Sequence, residues 1–194
     1  MSIVSEYRGK TIYGDFIDLV PFNESHFSDV VRIRNQPKSK YFLNQDFDLT
    51  VEMQSEWYKD YLKRDNDIYW VIFDKSGTPI GTERLYNITS NSCEEGSTII
   101  DEAYAMKGPY SVEAILLAMD FGFKLLNVKS IINTDRVDNK NMNSISQKVG
   151  FQLLKQIEIR GATYNYYELT EENYQRDKLE KILSFWKKAR KISL

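Results

Sequence analysis

Apolar and polar residues recur along this chain with two periods, one typical of strands and one of helices. Short apolar or alternating runs predict strands at 16–20, 68–73, 79–88, 94–100, 130–134, 151–159 and 163–169. Apolar residues three or four apart predict helices over 23–35, from Thr50 onward, over 109–126, from Asp138 or Asn139 to 149, and from Glu171 onward. Residues 1–13 are expected to form a loose arm, and residues 38–49 a polar and aromatic loop.

The first predicted helix places Phe27, Val30 and Val31 on its inward face, and Pro37 is expected to end it. The order of predicted elements favours a mixed sheet covered by helices, because each amphipathic element must bury its apolar face against another. The strand–helix–strand unit from Glu94 to Thr134 predicts a right-handed crossover between two parallel strands.

Length and composition restrict the class of protein. A chain of 194 residues fits one domain, here residues 1–170, with a helical extension over 171–194. The formal net charge of −2 argues against a nucleic-acid binder, and no apolar run is long enough to span a membrane. The single cysteine, Cys93, excludes an intrachain disulfide and argues against a cysteine-ligated zinc site, so no metal is expected. The N-terminal residues lack the apolar run of a signal peptide, and a cytoplasmic location is expected.

The segment from Glu94 to Phe151 carries the most chemical information. A strand leads into a loop, Met106-Lys107-Gly108-Pro109-Tyr110-Ser111, and then into a long helix. Free N–H groups and the helix dipole make such a helix start a generic anion site. A plain connecting loop has the same pattern, so the loop alone does not identify a function.

The surrounding motifs give the loop its context. The helix end at 121–127, the Asn139 cap and the closing Lys148-Val149-Gly150-Phe151 follow in order. Upstream lie Arg34-Asn35, Trp57 and the Pro79-Ile80-Gly81-Thr82 strand. From about Asp15 to Leu169 the chain resembles the GNAT superfamily of N-acetyltransferases, in the branch of ribosomal-protein N-terminal, spermidine and nucleotide amino-sugar acetyltransferases.

This resemblance implies a GNAT fold, which is an α/β fold with a mixed, mostly antiparallel central sheet, a splayed parallel strand pair and flanking helices. It also implies acetyl-CoA as the cosubstrate, with pantetheine on the strand edge near Thr98 and pyrophosphate on the loop. The loop departs from the family pattern Q/R-x-x-G-x-G/A at Met106, Pro109 and Ser111. Lys107 and the Ser111 hydroxyl are candidates to replace the missing contacts. The expected cofactor-binding residues are Ile99, Ile100, Lys107, Gly108, Tyr110, Ser111 and Asn139.

The implied reaction is direct attack of an amine on the thioester. An alkylammonium has a pKa near 10.4, so the site needs a base or a desolvating environment. Glu83 is the first candidate for the base and Glu95 the second, although either could be an ordinary strand carboxylate. Many family members use a tyrosine to protonate the thiolate; Ser146 holds that position here, and Tyr164 or Tyr166 could substitute.

The resemblance also suggests an acceptor region at Arg34, Asn35, Trp57 and Tyr86, although Arg34 and Asn35 could simply close a helix. A small-molecule amine is expected, first a nucleotide-linked amino sugar and second a polyamine or a protein N-terminus. A basic cleft would favour the nucleotide sugar and an acidic one the polyamine. An alternative function, which is not enzymatic, is that of a GNAT-like binding module.

The last predicted helix has Leu179, Ile182, Leu183 and Trp186 on one face. Such a face predicts docking on its own domain or on a partner subunit, and a homodimer through this helix is therefore possible. Membrane-surface binding is less favoured, because acidic residues are interspersed with the basic ones.

Overall fold

The computed structural model describes residues 3–192. Its helices, besides a 3-10 turn at Glu24–His26, are α1 (Ile3–Tyr7), α2 (Phe27–Arg34), α3 (Pro37–Phe42), α4 (Val51–Lys63), α5 (Tyr110–Lys124), α6 (Lys140–Val149) and α7 (Arg176–Ile192). Its strands are β1 (Ile12–Tyr13), β2 (Ile17–Pro21), β3 (Ile68–Asp74), β4 (Pro79–Tyr86), β5 (Ser92–Ile100), β6 (Ser130–Arg136), β7 (Gln152–Ile159) and β8 (Ala162–Thr170). None of these helices is both long enough and apolar enough to cross a bilayer.

The strands form one sheet in the order β1-β2-β3-β4-β5-β6-β8-β7. Neighbours pair antiparallel except β5 and β6, which run parallel and are joined through α5. The mixed, mostly antiparallel sheet is therefore confirmed. The parallel register runs only from Ser92–Glu95 on β5 to Ser130–Asn133 on β6, and beyond it the two strands separate. This divergence opens the sheet at its centre.

Residues 1–13 are not a loose arm, so that prediction is wrong for the part of the segment that the structure describes. Val4 of α1 is buried in the core, and Tyr7 packs edge-on against Phe121 with ring centroids 5.3 Å apart. Arg8 donates to the backbone oxygen of Asp67 at 2.8 Å. These partners lie more than 50 residues away in sequence, so local periodicity contains no sign of them.

The predicted loop over 38–49 is also wrong in part, because it contains most of α3. Pro37 does not end a helix but occupies the first turn of α3, where its missing N–H costs no hydrogen bond. The preceding helix α2 ends at Arg34. On that helix Phe27 and Val30 are buried as expected, but Val31 is only half-buried and Ile33 takes the third core position.

Alternation along β3 divides the core between the two faces of the sheet. Trp70 and Ile72 pack in the main cluster, together with Met119 of α5. Tyr69 and Val71 point the other way into a smaller aromatic cluster under α2 and α4. Leu179 and Leu183 of α7 are buried in the main cluster, so the last helix docks on its own domain.

The boundaries of α6 follow the local signals. Asn139 caps its first turn by accepting a hydrogen bond from the Met142 N–H at 3.2 Å. Gly150 ends it with φ +111°, a left-handed conformation that favours glycine. A Cβ at this glycine would lie 2.0 Å from the backbone oxygen of Asn173. This close approach brings the start of α7 against the end of α6.

Candidate functional site

A β-bulge in β5 lies at the centre of the candidate site. Thr82 pairs with Ile99 and Arg84 with Gly96, so Glu83 on β4 faces the two residues Ser97 and Thr98 on β5. Ser97 takes a left-handed φ of +55°, and its carbonyl accepts a hydrogen bond from the Thr82 hydroxyl at 2.7 Å. A bulge bends a strand and re-aims its side chains. Here it occurs where β5 leaves β6.

Two cavities meet at this bulge, and Ser97 lines both of them. The larger, which we call the central cleft, has a volume of about 980 Å³ and lies between the diverging strands and the helices α3, α5, α6 and α7. The smaller, which we call the side cavity, has a volume of about 280 Å³ and is lined from α2, α4, β3, β4 and the segment after α3. The central cleft and the compact side cavity therefore share a lining residue at the bulge.

Two carboxylates are buried behind the bulge. Glu83 is 0% exposed and Glu95 is 2% exposed, and Glu95 also lines the central cleft. The Thr98 hydroxyl bridges them: it lies 2.9 Å from Oε2 of Glu83 and in hydrogen-bond contact with Oε1 of Glu95. Burial raises the pKa of Glu95 to about 7. Burial, followed by the charge of Glu95, raises the pKa of Glu83 well above its ordinary value.

The bridge determines how this pair holds its protons. A hydroxyl has one proton, so Thr98 can donate to only one of its two carboxyl partners. The other contact is satisfied when that carboxyl is itself protonated and donates to the Thr98 oxygen. Glu83 is the fully buried member and holds the proton more readily. Glu95, which reaches the cleft, is the member available to exchange a proton near neutral pH.

A third buried carboxylate lies across the cleft on β6. Asp135 accepts a hydrogen bond from the Ser146 hydroxyl at 2.7 Å, and the Asn133 side-chain amide donates to the Ser146 oxygen at 3.3 Å. Asp135 lines the cleft, whereas Ser146 does not. Burial raises the pKa of Asp135 to about 6. Ser146 is the residue that the family resemblance predicts at the proton donor's position, and in the structure its hydroxyl donates to Asp135.

The helix start expected to bind an anion faces the central cleft. Gly108, Pro109 and Ser111 line it, and the first-turn N–H groups of α5 have no partners within the helix. Met106, in the same loop, is 91% exposed and also lines the cleft. Ile99, Ile100 and Asn139, three of the residues predicted to bind the cofactor, also line the cleft.

Two expected cofactor-binding residues lie outside the cleft lining. The Lys107 ammonium lies 5.0 Å from the centre of the Tyr104 ring. The ring of Tyr110 covers Gly108 closely, so that a Cβ on that glycine would lie 2.8 Å from the ring. In their place, Lys38, Lys140 and Lys148 line the cleft, and within residues 3–192 none of them forms an ion pair. Sequence reasoning missed these cations because they come from two different helices.

Of the four expected acceptor residues, Arg34 and Trp57 line the side cavity. Asn35 instead holds the loop before α4, with its side-chain oxygen and nitrogen each 2.8 Å from backbone groups of Leu49. Tyr86 lies beneath the Arg84 guanidinium, 4.7 Å from ring centre to Cζ, and lines neither cavity.

The side cavity also contains residues that the sequence did not single out. Arg84 reaches it while paired through two nitrogens with Asp67, at 2.8 and 2.6 Å. Tyr69 lines it too, and its buried hydroxyl has no hydrogen-bond partner in the described part of the chain. Arg34, by contrast, has no carboxylate within ion-pair distance among residues 3–192, and Gln45 is 3.5 Å away. The cavity therefore combines an unpaired cation with polar and aromatic walls.

The two tyrosines considered as proton donors lie outside the cleft lining. Tyr166 pairs with Thr134 across the sheet, and its ring lies 5.1 Å from the Lys155 ammonium. Tyr164 is buried beside Arg136. Within residues 3–192 no three His, Cys, Asp or Glu side chains are grouped so as to hold a metal ion. At the bulge itself the structure places the carboxyl groups of Glu83 and Glu95 and the hydroxyl of Thr98.

A family model described as an acetyltransferase (GNAT) domain matches residues 17–152. A search of curated protein sequences found no match.

Among solved structures, the chain is similar to apo FdhC, described as a nucleotide-linked sugar GNAT, with a TM-score of 0.75 and 24% identity over 90% of this chain and 99% of that one. It is also similar to spermidine N-acetyltransferase from Vibrio cholerae in complex with CoA and spermine, with a TM-score of 0.75 and 18% identity over 83% of this chain and 99% of that one. A GCN5-related N-acetyltransferase from Brucella melitensis has a TM-score of 0.73 and 18% identity over 92% of this chain and 85% of that one. At these identities the likenesses concern the fold.

Proposed function

Because the chain belongs to the GNAT acetyltransferase family and is thereby an N-acetyltransferase, we propose that it transfers the acetyl group of acetyl-CoA to the amine of a nucleotide-linked amino sugar. The observation that carries this proposal is the bulged wall of β5. It has a buried carboxylate pair behind it, the central cleft along it and the side cavity meeting the cleft at Ser97. Because the two cavities meet at Ser97, an amine in the side cavity can approach a thioester in the central cleft at that point.

The central cleft fits acetyl-CoA, which supplies the thioester and is a long polyanion. The first turn of α5 and the Ser111 hydroxyl offer donors for its phosphates. Lys38, Lys140 and Lys148 add positive charge along the walls, which compensates for the N–H that Pro109 lacks. We propose this cleft as the donor site.

Glu95 is the proposed base, ahead of Glu83. It lines the cleft, and its raised pKa lets it accept a proton from an ammonium group and release it again near neutral pH. Glu83 then serves as a positioning residue, because its retained proton and the Thr98 bridge fix the Glu95 carboxylate. This reverses the order that the sequence suggested.

Asp135 is the proposed proton donor for the departing sulfur. Its carboxyl lines the cleft opposite Glu95, and burial lets it hold a proton at higher pH than an ordinary aspartic acid does. Ser146 orients it by donating at 2.7 Å. A buried serine alone is a poor acid, and this pair supplies the group that the family tyrosine supplies elsewhere.

The side cavity supports an anionic acceptor over a polyamine. Among residues 3–192, none of those that line it is a carboxylate, and none forms an ion pair with the guanidinium of Arg34. A polyamine would meet a cation in this cavity, whereas the phosphates of a nucleotide sugar would pair with it. Trp57 adds an aromatic wall suited to a sugar or base ring. A cytoplasmic location belongs to this proposal as well, since the single cysteine is buried and free.

The test is release of free CoA from acetyl-CoA in the presence of single amines. UDP- and dTDP-linked amino sugars, spermidine and a short peptide with a free N-terminus are offered at equal concentration. We expect turnover with at least one amino sugar and little with spermidine. Turnover with spermidine alone would contradict the acceptor assignment. Absence of turnover with every amine, combined with tight acetyl-CoA binding, would favour the non-catalytic module.

A further inference from the structure

We propose that α7 completes the donor site, with the indole of Trp186 stacking on the adenine ring of acetyl-CoA. The family model matches residues 17–152, so this helix lies outside the matched segment. Even so, Leu179, Ile182 and Trp186 of α7 line the same central cleft as Glu95 and Ser111. The inference rests on the proposed role of that cleft as the donor site.

The ion pairs of α7 fix which part of the cleft Trp186 occupies. Arg176, at the start of α7, pairs with Asp120 near the end of α5 at 3.0 Å. Lys187 pairs with Asp15 at 2.5 Å, and the Asp15 N–H donates to Glu113 in the first turn of α5 at 2.8 Å. The two helices therefore run antiparallel. Trp186 therefore lies next to the N-terminal end of α5, where the first-turn N–H groups are free.

The surroundings of Trp186 suit a flat, partly apolar ring attached to phosphates. Ile182 precedes it by one helical turn, and Met142 and Ile145 of α6 line the same cleft. The Lys148 ammonium belongs to the same lining and has no ion-pair partner among residues 3–192. An indole stacks on any purine through its π-face, and a lysine binds phosphate as a point charge.

The order of groups along acetyl-CoA agrees with the order of residues along the cleft. The thioester has to reach Glu95, and the pyrophosphate has to reach the first turn of α5 at Ser111. The part of the molecule beyond the pyrophosphate is the phosphorylated adenosine. Trp186 lines this cleft, and the Lys187–Asp15 and Asp15–Glu113 contacts bring its part of α7 beside the first turn of α5, so we place adenine against Trp186.

The experiment compares ligands with and without the adenosine. The variants are W186A, W186F and F185A. The last is the matched control, because Phe185 is the neighbouring residue on the same helix, is 69% exposed and does not line the cleft. Dissociation constants for CoA and for 3′,5′-ADP are measured by calorimetry and by tryptophan fluorescence. Turnover is measured with acetyl-CoA and with S-acetylpantetheine, which lacks adenosine and phosphates. Thermal unfolding of each free variant reports on its folding.

We expect both CoA and 3′,5′-ADP to quench fluorescence in the wild type and to lose that quenching in W186F. Loss of base stacking in W186A should weaken binding of both ligands by at least about fivefold, with W186F in between and F185A unchanged. Turnover of S-acetylpantetheine should be the same in all four proteins. If W186A is too unstable to assay, W186F and its lost quenching decide the question.

Unchanged affinity for CoA and 3′,5′-ADP in both Trp186 variants would overturn the inference, as would equal losses with S-acetylpantetheine. Failure of the wild type to bind CoA would overturn it together with the donor site. Failure of the proposed acceptor gives a different result, namely Trp186-dependent CoA binding without acetylation of any amino sugar.

Discussion

The central cleft and the side cavity share the wall at Ser97 but are built by different means. Backbone features form the cleft, where two parallel strands separate and a helix begins. Side chains form the side cavity, and they come from six separate parts of the chain. Backbone features recur in every protein of one fold, whereas side-chain walls change with each substitution. The donor side should therefore tolerate single substitutions better than the acceptor and proton-transfer groups.

The largest effect is expected at the wall itself. The change E95Q keeps the shape of the side chain but removes the base, and kcat at neutral pH should fall by about 10²–10⁴-fold. In the wild type, kcat/KM should fall as the pH decreases below about 7, because Glu95 then takes up a proton. This acid limb should be absent from the residual rate of E95Q.

The matched control for Glu95 is E94Q. Glu94 precedes it on β5 and accepts a hydrogen bond from the Asn87 side-chain amide at 2.8 Å, and it does not line the cleft. We expect this control to keep the wild-type rate and pH profile. An E95Q protein with an unaltered acid limb would assign the base elsewhere.

The second-largest effect is expected from loss of the proposed proton donor, Asp135. D135N should lower kcat by about 10²-fold, at the low end for proton transfer, because a thiolate leaves more easily than an alkoxide. S146A keeps the carboxyl but removes its hydrogen bond, so its loss should be smaller and its pH profile should shift. Equal rates for D135N and wild type, measured by CoA release, would remove Asp135 from the reaction.

The third prediction separates the two cavities directly. R34M removes the unpaired cation of the side cavity, so KM for an amino-sugar nucleotide should rise about tenfold, as for loss of a charge-assisted hydrogen bond. The dissociation constant of acetyl-CoA should not change. K59M alters the net charge equally at an exposed residue of α4 that lines neither cavity, and it serves as the control. A tenfold loss of acetyl-CoA affinity in R34M would contradict the separation.

The smallest effect is expected on the donor side. S111A removes one neutral donor among several, and the dissociation constant of acetyl-CoA should rise by about two- to tenfold. The control S144A alters an exposed serine of α6 that does not line the cleft. Calorimetry of acetyl-CoA binding measures both. A hundredfold loss in S111A would mean that this loop depends on a single hydroxyl.

The same distinction explains what the sequence could predict. The parallel pair, the helix start at 109–111, the Asn139 cap and the Gly150 stop each depend on a few adjacent residues, and they were predicted correctly. The family follows from the order of those local motifs. From the sequence, Glu83 on the strand beside the expected cleft is the first candidate for the base and Glu95 the second; a catalytic role for either stays a prediction.

The unpredicted parts depend on contacts between distant residues. Arg8 bonds backbone groups near Asp67, so the ordered N-terminal segment left no local pattern. The Asp135–Ser146 pair joins a strand to a later helix, and Trp186 enters the cleft only because α7 folds back along α5. None of these residues has a neighbour in sequence that indicates its partner.

The shared wall at Ser97 also has a kinetic consequence. Because the central cleft and the side cavity meet at Ser97, donor and acceptor can be bound at the same time, which favours direct transfer. An intermediate acetylated on the protein would need a reactive nucleophile, yet burial raises the pKa of the Cys93 thiol to about 12, and Cys93 lines neither cavity. Double-reciprocal plots at several fixed acetyl-CoA concentrations should therefore give intersecting rather than parallel lines. The extra residue in β5 thus favours a kinetic mechanism in which both substrates must be bound before the acetyl group is transferred.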